Sequence, residues 1–149
     1  MAEPKLLSET AVQLERVIPA PPETVYQAWL QAETLSRWLA PSDEFASTIH
    51  RADAKVGGRL SLTMTKPDGS TNDLDATYTE LVPNRKLVLA WRWANHPEDG
   101  DSVVTVELAP EGKGTRLTLT HEQLPTSTSR DNHAKGWTGC LDRLVRKIA

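Results

Sequence analysis

From Arg59 to His121 the chain runs in short stretches of alternating apolar and polar residues separated by turn residues, and this pattern constrains the fold more than any other feature. Leu60, Leu62 and Met64 alternate with Arg59, Ser61, Thr63 and Thr65. Leu74, Ala76 and Tyr78 alternate with Asp73, Asp75, Thr77 and Thr79. Leu87, Leu89, Trp91 and Trp93 alternate with Val88, Ala90 and Arg92; Val104, Val106 and Leu108 with Thr105 and Glu107; Leu117, Leu119 and His121 with Arg116, Thr118, Thr120 and Glu122. A period of two is that of a strand with one face buried. Pro67-Asp68-Gly69, Pro83-Asn84 and Glu111–Gly114 read as tight turns, and Asn95–Asp101 as a polar loop. Strands joined by such short turns must be antiparallel, since a parallel pair needs a long crossover. The sheet therefore has one apolar face that something must cover.

The flanking segments supply the cover. Glu9–Ile18 reads as a further, imperfect strand, with Val12, Leu14, Arg16 and Ile18 on one side; Pro19, Pro21 and Pro22 end it. Glu23 and the apolar face Val25, Ala28, Trp29 and Ala32 predict a short helix that Pro can open. A second short helix runs from Glu33, with Leu35, Trp38 and Leu39 on one side, and stops at Pro41. Phe45–Arg51 is a weaker strand, followed by a turn or bulge at Gly57-Gly58. In Asp131–Ile148, Trp137, Leu141, Leu144 and Ile148 fall at helical spacing, with Cys140 and Val145 beside them and Asp142, Arg143, Arg146 and Lys147 opposite. That helix is the sheet's natural partner. Gly136 and Gly139 are expected to let it approach closely, at a cost in helix propensity. The prediction is an α+β fold over a single domain, residues 1–149: a curved antiparallel β-sheet wrapped around a long C-terminal α-helix, with two short helices after the first strand.

Composition excludes several function classes. The net charge is -3 and no Lys/Arg block occurs, which argues against a nucleic-acid partner or an anionic membrane surface. The single cysteine, Cys140, rules out an intramolecular disulfide and a thiolate metal site. The four histidines, His50, His96, His121 and His133, lack metal-ligand spacing, although a folded sheet could gather two of them. No phosphate-, nucleotide- or metal-binding signature appears, so no cofactor is expected. No apolar stretch is long enough to insert into a membrane and MAEPKLLSET lacks a signal-peptide core, so a cytoplasmic location is expected. Five Trp stand against two Tyr and one Phe, concentrating apolar volume in indoles.

Several blocks then carry a resemblance. Ala20-Pro21-Pro22-Glu23-Thr24-Val25-Tyr26-Gln27-Ala28-Trp29, Leu35-Ser36-Arg37-Trp38, Asp53-Ala54-Lys55-Val56-Gly57-Gly58-Arg59, Pro83-Asn84-Arg85-Lys86-Leu87 through Trp91, Gly114–His121 and Gly136–Leu144 occur in order. Together they resemble the activator-of-heat-shock-protein-90-ATPase-like branch of the SRPBCC (START/Bet v 1-like) superfamily. The resemblance implies a helix-grip fold with a cavity for hydrophobic ligands between sheet and C-terminal helix. Relatives include lipid carriers, hormone and allergen pockets, polyketide cyclases and toxin-resistance proteins, so fold is implied more firmly than activity. Trp38-Leu39 stands where the family often has two tryptophans, which makes the expected pocket mouth less aromatic.

The expected lining is Trp38, Phe45, Leu60, Leu62, Met64, Tyr78, Leu89, Trp91, Val104, Val106, Leu119, His121, Trp137 and Leu141. The same apolar stripe could instead be a filled core. His121 stands where alternation calls for an apolar side chain; it is either a ligand anchor, a general base, or a core-edge histidine bonded to backbone. Tyr78 could bring a hydroxyl to the same space, and Glu80 could turn inward at a bulge. Cys140 reads as a small core hydrophobe, and Arg92 with Trp93 as a surface cation–π pair. The favoured function is non-catalytic binding of a hydrophobic or aromatic small molecule. The alternatives are a cyclase- or hydrolase-like enzyme using His121 and Tyr78 as acid and base, and a protein-interaction module with a possible chaperone partner.

Overall fold

The computed structural model describes residues 3–148. Its elements are β1 (Lys5–Ser8), β2 (Ala11–Ile18), α1 (Pro22–Ala28), α2 (Ala32–Trp38), β3 (Ala46–Ala52), β4 (Arg59–Thr65), β5 (Thr71–Val82), β6 (Lys86–Trp91), β7 (Ser102–Glu111), β8 (Gly114–Glu122) and α3 (Ser127–Lys147), with a 3₁₀ turn at Pro97–Asp99. The strands form one sheet of order β1-β2-β8-β7-β6-β5-β4-β3, antiparallel throughout. Strands β3 to β8 form a meander of adjacent neighbours. The segment carrying α1 and α2 takes the chain from β2 across to the far edge, and β8 returns to pair with β2, Leu14 opposite Leu119. This is the α+β helix-grip architecture the alternation and motifs predict.

The period-two pattern is realised in burial. Leu60, Leu62, Tyr78, Leu89, Val104, Val106, Leu119 and His121 all lie on the concave face, and all are essentially inaccessible. Helix α3 covers them with Trp137, Cys140, Leu141 and Leu144. Gly139 sets how close that helix can come to the rest of the fold. A Cβ there would lie 1.8 Å from the Pro41 carbonyl oxygen, so the helix rests directly on the α2–β3 loop.

Several expectations need correction. Strand β1 was not anticipated. Helix α3 begins one turn early, at Ser127 and not Asp131, because the Thr126 hydroxyl accepts the Ser129 amide hydrogen at 3.0 Å and caps it. Strand β6 ends at Trp91; Trp93 makes only an isolated bridge to Leu74. Arg143 is not on the solvent face. It is buried, its Nε donating to Asp43 at 2.9 Å and its Nη1 to the Trp38 carbonyl at 3.0 Å. Arg92 bonds Asp101, not the Trp93 ring. Gly136 meets nothing within 4 Å of a built Cβ, so it makes no close approach. A bulge does lie between Tyr78 and Glu80, but Glu80 stays exposed and pairs with Lys86.

Candidate functional site

The apolar interface is filled along most of its length and open at one end. There, a cavity of about 470 Å³ lies between the first half of α3 and the ends of the strands. The α2–β3 segment contributes Leu39, Pro41 and Phe45; β4 and β5 contribute Met64 and Asn72; the end of β6 contributes Trp91, and Trp93 follows two residues beyond it. The loop after β6 adds His96 and Asp99. Helix α3 and its approach add Pro125, Thr126, Thr128, Ser129, Asn132, His133, Gly136, Trp137 and Cys140. The helical members fall three or four residues apart, as one face of a helix requires. The missing side chain of Gly136 leaves space on that face.

Of the residues expected to line a pocket, Phe45, Met64, Trp91 and Trp137 do so. Trp38, Leu60, Leu62, Tyr78, Leu89, Val104, Val106, Leu119, His121 and Leu141 are packed in the core beside it. Two of these have structural duties that occupy their polar atoms. The Trp38 indole donates to the Ala28 carbonyl at 3.0 Å, and the Tyr78 hydroxyl donates to the Trp29 carbonyl at 2.7 Å. Both close the C-terminal end of α1, whose last carbonyls have no helical partner. Burial raises the Tyr78 phenol well above its usual range.

His121 is fully buried and fully engaged. Trp137 Nε1–H, which can only donate, points at its Nδ1 at 3.0 Å. The hydrogen-bond network therefore assigns the ring proton to Nε2, which donates to Ser102 Oγ at 2.6 Å. The partners are side chains, not the backbone. His133 is held in the opposite tautomer: Trp93 Nε1–H donates to its Nε2 at 3.0 Å, and its Nδ1–H donates to the Ser129 carbonyl at 2.8 Å. The two rings meet edge to face with centroids 4.7 Å apart, so the fold gathers two of the four histidines. Burial pushes both below the ordinary imidazole value, His121 furthest; the neighbouring His133 lowers His121 further, whereas the Ser129 carbonyl and Asp99 act to raise His133. Among the described residues no group of three His, Cys, Asp or Glu side chains is placed to hold a metal.

All five tryptophans of the chain form one line of contacts leading to this site. Ring centroids are 4.7 Å apart for Trp38–Trp29, 5.9 Å for Trp29–Trp137, 5.1 Å for Trp137–Trp91 and 6.1 Å for Trp91–Trp93. Cys140 also borders the cavity, but burial pushes its thiol up to about 12. The thiolate is the reactive form. Native protein at pH 8 is therefore expected to resist iodoacetamide for as long as it stays folded and to react once denatured; rapid labelling of native protein, followed by mass spectrometry, would contradict the buried placement.

Sequence reasoning missed the polar half of the lining. One signal was available for Trp93, which shares the parity of Trp91. Another was the helical spacing of Ser129, Asn132, His133, Gly136 and Cys140.

Comparison with known proteins fixes the family. A profile of activator of Hsp90 ATPase homolog 1-like proteins matches residues 19–149. The chain belongs to this activator of Hsp90 ATPase homolog 1-like family. A crystal structure of a Chromobacterium violaceum protein is similar at 31% identity over 93% of this chain and 96% of that one, with a TM-score of 0.86. The solution structure of an AHSA1-like protein from Aeromonas hydrophila is 29% identical over 93% of this chain and 91% of that one, TM-score 0.78. An AHSA1 protein from Silicibacter pomeroyi shares the fold at 22% identity, covering 93% and 96% of the two chains, TM-score 0.80. A search of curated proteins found no match. Membership in the Hsp90 ATPase activator-like family agrees with the SRPBCC resemblance and fits a ligand-binding or interaction domain. No helix among the described residues is long and apolar enough to cross a membrane.

Proposed function

We propose that this domain binds a hydrophobic or aromatic small molecule, without transforming it, in the cavity at the N-terminal half of α3. The observation that carries the reading is the cavity itself: about 470 Å³ lined by Phe45, Met64, Trp91, Trp93 and Trp137 with a rim of Asn, Thr and Ser. That size and mixture are those of small-molecule sites. The carrier reading is favoured over an acid–base enzyme by the hydrogen bonds of its two candidate catalysts. A general base needs a free lone pair within reach of its substrate, and both His121 nitrogens and the Tyr78 hydroxyl hydrogen are already committed. The reading includes a cytoplasmic setting, which suits a buried free thiol.

Replacing Met64 by Trp tests it. Met64 borders the cavity, so the added volume has somewhere to go. Saturable binding of an apolar fluorescent probe should weaken at least tenfold, while the melting temperature of the free protein changes little. Leu62→Trp, aimed at packed core one pair away on β4, should instead lower stability by about 1–3 kcal/mol. Absence of saturable probe binding in the parent protein would remove the proposal.

A further inference from the structure

The charge around the cavity is one-sided. No Lys or Arg lines it among the described residues, and Asp99 is its single acidic member. The polar loop holding Asp99 carries three acids, and two are occupied: Glu98 faces His96 at 3.5 Å, and Asp101 accepts from Arg92 at 2.7 Å. The Asp99 carboxylate has no hydrogen bond or ion pair among the described residues, stands exposed at the rim, and is close enough to His133 to favour its charged form. The indoles of Trp93, Trp91 and Trp137 line the same cavity, successive rings 6.1 and 5.1 Å apart and inclined at 84° and 50°.

A carboxylate without a Lys or Arg partner, sharing one cavity with indole rings at differing inclinations, is complementary to an organic cation. Indole faces attract ammonium groups, most strongly those with little hydration of their own, such as quaternary ammonium. An anionic head would meet Asp99 with no Lys or Arg in the lining to compensate it. We infer that the ligand is an amphipathic cation: an aliphatic or aromatic body occupying the cavity, with an amine or quaternary ammonium head at the rim between Asp99 and Trp93. This rests on the binding reading above and adds the charge of the head.

Three probes of equal chain length test it by isothermal titration calorimetry below their aggregation limits: decyltrimethylammonium, decanol and decanoate. The parent protein should bind decyltrimethylammonium at one site, about tenfold more tightly than decanol and more tightly still than decanoate, with the preference shrinking as salt rises because the rim is exposed. Asp99→Asn should bring the ammonium-to-decanol ratio to within about threefold. Glu98→Gln removes the same charge from the same loop but not from the lining, and should keep most of the parent ratio. Equal binding of ammonium and carboxylate, with decanol bound, would overturn the inference and leave the cavity reading standing. An equal loss in Glu98→Gln and Asp99→Asn would also overturn it, since the preference would then belong to the general negative field. Failure of all three probes would remove the binding reading and this inference with it.

Discussion

Replacing Gly139 by alanine is expected to lower the stability of this domain by about 2–3 kcal/mol, at the upper end of what overpacking costs. The added Cβ would stand 1.8 Å from the Pro41 carbonyl oxygen and 2.8 Å from its carbon. Both are backbone atoms, so no side-chain rotation relieves the overlap. Either α3 lifts from the sheet or the α2–β3 loop retreats. The loop is tied down, since Asp43 accepts from both Arg143 and Arg146. For a domain of this size the loss corresponds to a fall of roughly 5–10 °C in Tm by scanning calorimetry. Gly136→Ala, three residues earlier on the same helix, should move the other way by about 0.5–1 kcal/mol, since its Cβ meets nothing within 4 Å and alanine is the better helix former. Equal effects at the two positions would mean that the close approach at Pro41 is not a feature of the folded protein.

Acidification should destabilise the fold between about pH 7 and pH 5 through His121 and His133. Both are held below the ordinary value of 6.5, by burial first and, for His121, by the neighbouring His133. In the unfolded chain each takes up a proton near pH 6.5; in the folded chain each resists. The unfolded state then binds more protons, so stability is complete above that pH and falls as pH drops through it. The slope is up to about 1.4 kcal/mol per pH unit for each histidine. It ends where the folded rings also protonate, earlier for His133, because the Ser129 carbonyl and Asp99 favour its cation. Charging either ring also places a proton on the nitrogen that accepts from Trp137 or Trp93, turning a hydrogen bond into a repulsion. Chemical denaturation at half-unit pH steps measures the slope. His121→Gln should flatten it while keeping most of the stability at pH 8, because the amide can still accept from Trp137 and donate to Ser102. His121→Ala should cost several times more, leaving both partners unsatisfied beside a new cavity. An unchanged slope in His121→Gln would show that the charge change lies elsewhere.

How much of this was legible beforehand depended on periodicity. The strands from β4 to β8 were readable because each has one buried face, and burial imprints a period of two. Strand β1 was not, because Leu6 and Leu7 are both exposed and an edge strand with no buried face carries no alternation. The first turn of α3 was hidden because Thr126 to Ser129 is composed of residues that favour loops, the same property that makes Thr126 a cap. Arg143 was misplaced because helical spacing gives direction but not what waits there; Asp43 and the Trp38 carbonyl draw a charged group inward. The cavity posed a harder problem. Alternation separates inside from outside, but Leu62 and Met64 have the same parity, and only the end of the sheet distinguishes packed from open. Its polar rim comes from the β6–β7 loop and from α3, where no strand pattern reaches.

The line of five indoles has a consequence for light. At centroid separations of 4.7 to 6.1 Å, excitation energy passes between neighbouring rings far faster than any one of them emits. A photon absorbed by Trp38, buried at the end of α2 against the last carbonyl of α1, is shared along the row to Trp93 at the cavity. The intrinsic emission of this protein is thus a property of the whole array, and replacing one tryptophan by phenylalanine will not subtract one fifth of the signal. An occupant that quenches only the terminal ring will drain the others through it, so even the most deeply buried indole reports on the pocket mouth.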